Sequence, residues 1–151
     1  MGAREDFRLK VYTGGTFDCF HVGHVNFLRQ CAVLAGQRAA PSWEVTVSLN
    51  TDEFVKSYKG QPSVVDFEDR KKILEACRYV SRVVTNLGGP DSKPAIMQAR
   101  PDIIAIGTDW VTRDYYEQMG FTQKWLDQRG IVLAYLPRLE GVSTTELRTK
   151  M

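Results

Sequence analysis

Three cysteines in 151 residues, Cys19, Cys31 and Cys77, are too few and too widely spaced for a disulfide framework. No C-x-x-C pair offers a metal or redox centre, so reduced thiols in a cytosolic setting are the expectation. Long hydrophobic runs are missing too: nothing approaches the roughly 18 apolar residues that a bilayer span needs. The first six residues, Met1 to Asp6, are charged and have no apolar core of a secretion signal. Asp6 stands where a myristoylation motif after Gly2 would have Ser or Thr. Charge of one sign is also lacking, with 20 Lys and Arg against 18 Asp and Glu, a net +2. Such a balance does not attract nucleic acid or an anionic membrane, so neither is expected as a partner, and any anionic ligand must be held by a local arrangement. The expectation is a soluble, cytoplasmic protein.

What remains is ordinary globular composition, 43% hydrophobic and 25% charged. A chain of this length is read as one domain over 1–151, able to bury about 68–70% of its unfolded surface. Short apolar or β-branched runs at 9–13, 43–49, 82–85, 102–106 and 131–136 read as strands. Helical patterns lie between them. Over 22–35, Val25, Leu28, Ala32 and Ala35 share a face, and Gly36 is a plausible stop. Over 66–77, Asp66 is the N-cap and Ile73, Leu74 and Cys77 form the apolar face. A shorter helix over 121–128 closes at Gly130. Strands alternating with helices predict an α/β, Rossmann-like single domain: a mainly parallel five-stranded sheet with helices on both faces. Ligands of such sheets sit beyond the carboxyl ends of the strands. The stretches 56–65 and 87–94, with their glycines and prolines, read as mobile.

The loop after the first strand carries the most chemistry. Gly14, Gly15, Thr16, Phe17 and Asp18 lead through Cys19 and Phe20 to His21, Gly23 and His24, where a helix begins. A helix N-terminus offers unpaired N–H groups and the positive end of a dipole, which favours phosphate. Glycines allow close backbone approach, and Gly23 keeps the face between the histidines open. His21 and His24, three apart, share that face. Helix capping and a zinc pair are the competing readings. Zinc usually needs a third protein ligand, for which Asp18 is a weak candidate.

The run GTFDCFHVGH at 15–24 resembles the signature of the nucleotidyltransferase superfamily, and of the cytidylyltransferases in particular. NTDEF at 50–54, RKKILEACRYV at 70–80, GTDW at 107–110 and LPRLEGVSTTELR at 136–148 follow the order of the glycerol-3-phosphate cytidylyltransferases. The resemblance covers nearly the whole chain. It implies transfer of CMP from CTP to a small phosphomonoester, glycerol 3-phosphate first among them, giving CDP-glycerol and pyrophosphate. The acceptor phosphate attacks the α-phosphorus, so positioning and charge neutralisation do the work.

The same resemblance implies the residue roles. His21 and His24 donate to phosphate oxygens, with Arg138 forking onto the β- or γ-phosphate from beyond Pro137. Ser143 or Thr144 caps a last helix whose N-terminus also faces the anion. Arg78 lies at the nucleotide site near a surface that pairs two subunits, which implies a homodimer; a cation compensating a helix dipole is its plainer reading. Gly107 and Asp109 belong to the nucleotide pocket, while Trp110 reads as core. Lys56 and Lys59 are lysines that close over substrate phosphates, or solvated surface lysines. Mg²⁺ accompanies the triphosphate, held mainly by substrate oxygens and water.

Thr108, Ser81 and Leu139 depart from the pattern, and the connection over 113–120 is longer than in the compact relatives. Arg113, with Tyr115 and Tyr116, either lines a different phosphoester pocket or buries a lengthened helix. Transfer to another sugar, polyol or alkyl phosphate, adenylyl transfer from ATP, and a silent nucleotide-binding module stand as alternatives.

Overall fold

The computed structural model describes residues 9–36, 43–107, 115–137 and 149–150. Strands and helices alternate: β1 (Lys10–Gly15), α1 (Val22–Leu34), β2 (Glu44–Asn50), α2 (Asp52–Lys59), α3 (Phe67–Glu75), β3 (Arg82–Asn86), α4 (Lys93–Ala99), β4 (Ile103–Gly107), α5 (Tyr115–Met119), α6 (Gln123–Gln128) and β5 (Val132–Leu136). The sheet order is β3-β2-β1-β4-β5, with every neighbouring pair parallel. The α/β, Rossmann-like expectation, five strands with helices on both faces, therefore holds.

Parallel strands covered on both faces must be apolar on both. Val11, Val45, Val47, Leu49 and Ala105 point one way, against Leu28, Cys31 and Ala32 of α1 and Leu74 of α3. Tyr12, Ile104 and Ile106 point the other way, against Ala95, Ile96 and Ala99 of α4 and Leu126 of α6. The covering helices change face where the chain order reverses, between β1 and β4. That is the switch point, where such sheets leave a crevice. Backbone pairing is thinnest there. β1 and β2 are in register from Lys10↔Glu44 to Gly15↔Leu49, whereas β1 and β4 pair only at Val11↔Ile103 and Tyr12↔Ile104. The last three residues of each strand run on without facing partners across the gap.

Local sequence explains most element ends. Asp66 caps α3 by accepting from the Asp69 N–H, and Gly36, just beyond the Ala35 cap of α1, takes φ of 88°. The expected apolar face of α3 needs one correction. Ile73 is 40% exposed, and the buried stripe runs through Arg70 and Leu74 instead. The stretch 56–65 also differs from expectation, because its first residues belong to α2. Thr51 caps that helix, Asp52 and Glu53 sit in its first turn, Lys56 and Lys59 in its last, and Gly60 ends it at φ 77°. In 87–94, Lys93 and Pro94 open α4, where a proline without an N–H is tolerated.

Candidate functional site

The loop between β1 and α1 is strained and heavily anchored. Phe17 and Cys19 both have φ of 51° without being glycine, a cost of about 1–3 kcal/mol each. Two anchors offset it. The Phe17 ring lies in the core with Leu28, Val47, Leu49 and Leu74. The Asp18 carboxylate is buried and accepts from the N–H groups of Val64 (2.7 Å), Val65 (2.9 Å) and Cys19 (3.0 Å). Asp18 thus ties the loop to the 63–65 segment. Both oxygens of this residue, expected as a weak metal ligand, are engaged by backbone amides. No three His, Cys, Asp or Glu side chains converge among the described residues.

His21 is the N-cap of α1. Its Nδ1 accepts from the Gly23 N–H at 3.1 Å, and the His24 Nδ1 accepts from the His21 N–H at 3.3 Å. This is a capping box in which two imidazoles replace the usual hydroxyl and carboxylate. The rings stack, centroids 3.8 Å apart and 21° between planes, with Phe20 stacked on His24 at 5.5 Å and Phe17 tilted against it at 5.2 Å. Capping and ligand binding, weighed as alternatives from sequence, are compatible in this geometry. An imidazole that accepts at Nδ1 carries its neutral-state proton at Nε2. Two amides of the helix start are thereby engaged by the histidines, and the Nδ1 atoms that accept them leave Nε2 as the donor of each neutral ring.

Burial above all, then the neighbouring His21 and more weakly Lys59, pushes the His24 pKa down to about 3, against an opposing pull from Asp18. At neutral pH His24 is therefore an uncharged donor.

Around this junction lies a polar frame that sequence reasoning missed. Arg70 is 1% exposed, and its guanidinium donates to four places at once: Val65 O (2.9 Å), Thr16 O (2.9 Å), Asn50 O (3.0 Å) and Asp52 Oδ1 (2.6 Å). One side chain joins the β1–α1 loop, the end of β2, the start of α2 and the segment before α3. Asp52 also accepts from the Phe67 N–H and the Ser63 hydroxyl. Burial acts to raise its pKa, but these donors and the Arg70 charge outweigh it and hold the carboxyl below its ordinary value. Thr16 Oγ1 accepts from Asn50 Nδ2 (3.2 Å) and shares a hydrogen bond with the Tyr58 hydroxyl (3.1 Å). Asn86 Nδ2 continues the row to Asn50 Oδ1 and Gly89 O. The signal for Arg70 was its phase: a cation four residues before Leu74, on the stripe that the helix buries.

Several expected residues do come together at the carboxyl edge. Gly14 and Gly15 end β1, Gly107 ends β4, and Thr16, His21, Gly23 and His24 follow the first of these. Lys59, at the end of α2, is close enough to bear on His24; Lys56 lies exposed one turn earlier. Arg78 does not join them. It is exposed beyond the end of α3, three residues before Ser81, whose hydroxyl accepts from the Val45 N–H at 2.9 Å and whose N–H donates to Val45 O. That places it at the amino edge of its own sheet, and gives Ser81 a job in starting β3. Asp109, Arg113, Arg138, Ser143 and Thr144, like Thr108, Trp110 and Leu139, lie outside the described residues. The approach to Arg138 is nonetheless moored, because Gln30 Nε2 of α1 donates to Pro137 O at 3.0 Å.

A doubly wound parallel sheet, with a glycine-led loop entering a histidine-capped helix at its switch point, defines a Rossmann-like protein. The chain belongs to the cytidylyltransferase-like family, whose model matches residues 12–150. It is 33% identical over 143 residues to the glycerol-3-phosphate cytidylyltransferase of Bacillus subtilis, covering 94% of this chain and 96% of that one. It is 40% identical over 102 residues to the FAD synthase of Pyrococcus abyssi, covering 68% of this chain and 64% of the relative's length. Among solved structures, the lipopolysaccharide core biosynthesis protein from Thermoplasma volcanium superposes with a TM-score of 0.66 at 22% identity, over 86% of this chain and 98% of that one, which supports the fold. No helix among the described residues is long and apolar enough to cross a membrane.

Proposed function

We propose that this protein transfers CMP from CTP to a small phosphomonoester, glycerol 3-phosphate foremost, releasing pyrophosphate and forming CDP-glycerol. The observation that carries the reading is the stacked His21–His24 pair, locked by its Nδ1 atoms onto the start of α1 at the switch point, with Lys59 alongside. The match to the Bacillus subtilis enzyme over nearly the whole of both chains supports the choice of CTP and acceptor.

In this reading the triphosphate lies along 14–16 and the two Nε2–H groups. An acceptor phosphate oxygen, already ionised near neutral pH, forms a bond to the α-phosphorus as the bond to the pyrophosphate oxygen breaks. The electron pair leaves with pyrophosphate, and no protein nucleophile or base is needed. His24 and His21 donate to oxygens whose charge grows, and Lys59 and Lys56 meet the triphosphate from α2. Arg138 and the 143–144 turn complete the anion site, and Asp109 and Gly107 take the base. Mg²⁺ accompanies the nucleotide, held mainly by its oxygens and water. The working form is a homodimer in the cytoplasm, paired near 78–80, where Arg78 is exposed. Light scattering showing only single chains at assay concentration contradicts the dimer.

A second reading, AMP transfer from ATP to a flavin phosphate, is favoured by the 40% identity to an archaeal FAD synthase. Pyrophosphate release, measured for each nucleoside triphosphate against glycerol 3-phosphate, other polyol and sugar phosphates, and flavin mononucleotide, separates the two. Release with CTP and glycerol 3-phosphate is the expected result. Release only with ATP and the flavin phosphate replaces it with the second reading, and no release with any pair leaves a binding module.

A further inference from the structure

Tyr58 is not part of any expected phosphate-handling set, yet it makes the contact that brings α2 over the loop. Its hydroxyl meets Thr16 Oγ1 at 3.1 Å, and Thr16 is buried beneath it, itself accepting from Asn50 at 3.2 Å. The ring packs on Phe54, one turn back, at 4.8 Å and 36°. Phe54 in turn lies against the β3–α4 loop, since a Cβ at Gly89 would stand 3.4 Å from its ring. The Lys59 ammonium, next in sequence, sits 5.7 Å from the centre of the Tyr58 ring. The last turn of α2 ends immediately afterwards at Gly60, whose left-handed cap breaks the helix. This hydroxyl supplies the described hydrogen bond that joins that last turn to Thr16. The ring's 43% exposure shows that core packing does not fix it.

We infer that Tyr58 is a positioning residue: its hydroxyl pins the end of α2 to Thr16 and so sets Lys59 over the phosphate loop beside His24. The inference rests on the phosphate-binding role proposed for Lys59 and deepens it. A long lysine on a frayed helix end would lose conformational freedom each time it met an anion. A ring 5.7 Å from its ammonium and a hydroxyl fixing that ring remove part of this cost before binding. Thr16, already bonded to the buried Asn50, supplies a rigid partner.

Inorganic tripolyphosphate is the test ligand, because it reports the anion site whatever the nucleobase or acceptor. Its affinity is measured by calorimetry for the native chain, Tyr58→Phe, Lys59→Ala and the double variant, with thermal melts alongside. Tyr58→Phe keeps the ring and removes one partly exposed hydrogen bond. It is expected to weaken tripolyphosphate about three- to tenfold, the range of a single net hydrogen bond, with the melting temperature nearly unchanged. Lys59→Ala is expected to weaken it at least as much. The double variant should bind like Lys59→Ala alone, because a hydroxyl that acts through Lys59 has nothing left to position. Additive losses overturn the inference while sparing the lysine's role, as does a Tyr58→Phe variant that melts lower but binds normally. If Lys59→Ala binds tripolyphosphate like the native chain, the phosphate role of Lys59 fails and the inference falls with it.

Discussion

His24 hands its Nδ1 lone pair to the backbone N–H of His21, while the two rings lie 3.8 Å apart. Each imidazole is thus held by the helix start that it caps, and the pair cannot be moved without loosening the first turn of α1. Structure and chemistry share the same atoms. Variants here must be read with a stability measurement beside the rate.

His24→Ala removes one donor and one cap. The cap costs about 1 kcal/mol of stability, which leaves the fold standing. Turnover is expected to fall by at least about a hundredfold, the usual loss for one preorganised donor. Steady-state pyrophosphate release from a variant that keeps its circular dichroism spectrum checks this. Unchanged turnover takes His24 out of the mechanism.

The stability of the fold is expected to decline as pH drops below about 6.5. His24, held neutral with a pKa of about 3, refuses a proton that the unfolded chain accepts near 6.5. Between those values the unfolded state binds more protons, so stability falls as pH falls. Asp52 acts in the same direction, and lower down. Its depressed carboxyl contributes stability present above the ordinary value near 3.9, and this is lost as pH drops through its folded pKa. Denaturant midpoints from pH 7 to 4 should drop for the native chain, and more gently for His24→Asn. Parallel curves for the two proteins exclude His24 as the titrating group.

Arg70 supports four groups from within the core, so its loss is felt in the loop as well as in the fold. Arg70→Met leaves the carbonyls of Thr16, Asn50 and Val65 without their donor and Asp52 without its cation. A loss of about 3 kcal/mol in unfolding free energy is expected. Amide exchange at 14–19 and 63–66 should quicken under conditions where the protein stays folded. Exchange unchanged in those segments limits Arg70 to ordinary packing.

Much of the architecture was legible because strand and helix periods differ and the strands here are short, apolar and bounded by glycine. Each of the five expected strands lies within two residues of its observed bounds. The histidine-bearing loop was legible for the same reason, as residues of unlike kind fell at a strand–helix junction. Tertiary context decided the rest. α2 carries Thr51 at its start, Gly60 at its end and Phe54, Val55 and Tyr58 at helical spacing, but it is only eight residues long and runs into the Gly60–Pro62 stretch, which read as mobile. Arg70 reads as a solvated charge until the fold surrounds it with carbonyls. Ile73 looks like core until α3 is docked by Arg70 and Leu74. Arg78 sits at the far edge from the loop because α3 runs antiparallel to the strands, a fact of topology that no local pattern contains.

The seam between β1 and β4 closes at Tyr12↔Ile104, well short of Gly15 and Gly107. The sheet is therefore two leaves, β3-β2-β1 and β4-β5, stitched only near the spine. On the proposed reading, a polyanion at the open margin grips the first leaf through 14–16 and reaches the second at Gly107, a rivet at the place of greatest leverage. Occupancy should accordingly slow amide exchange at the start of β5, far from the margin, alongside exchange in the 14–16 loop.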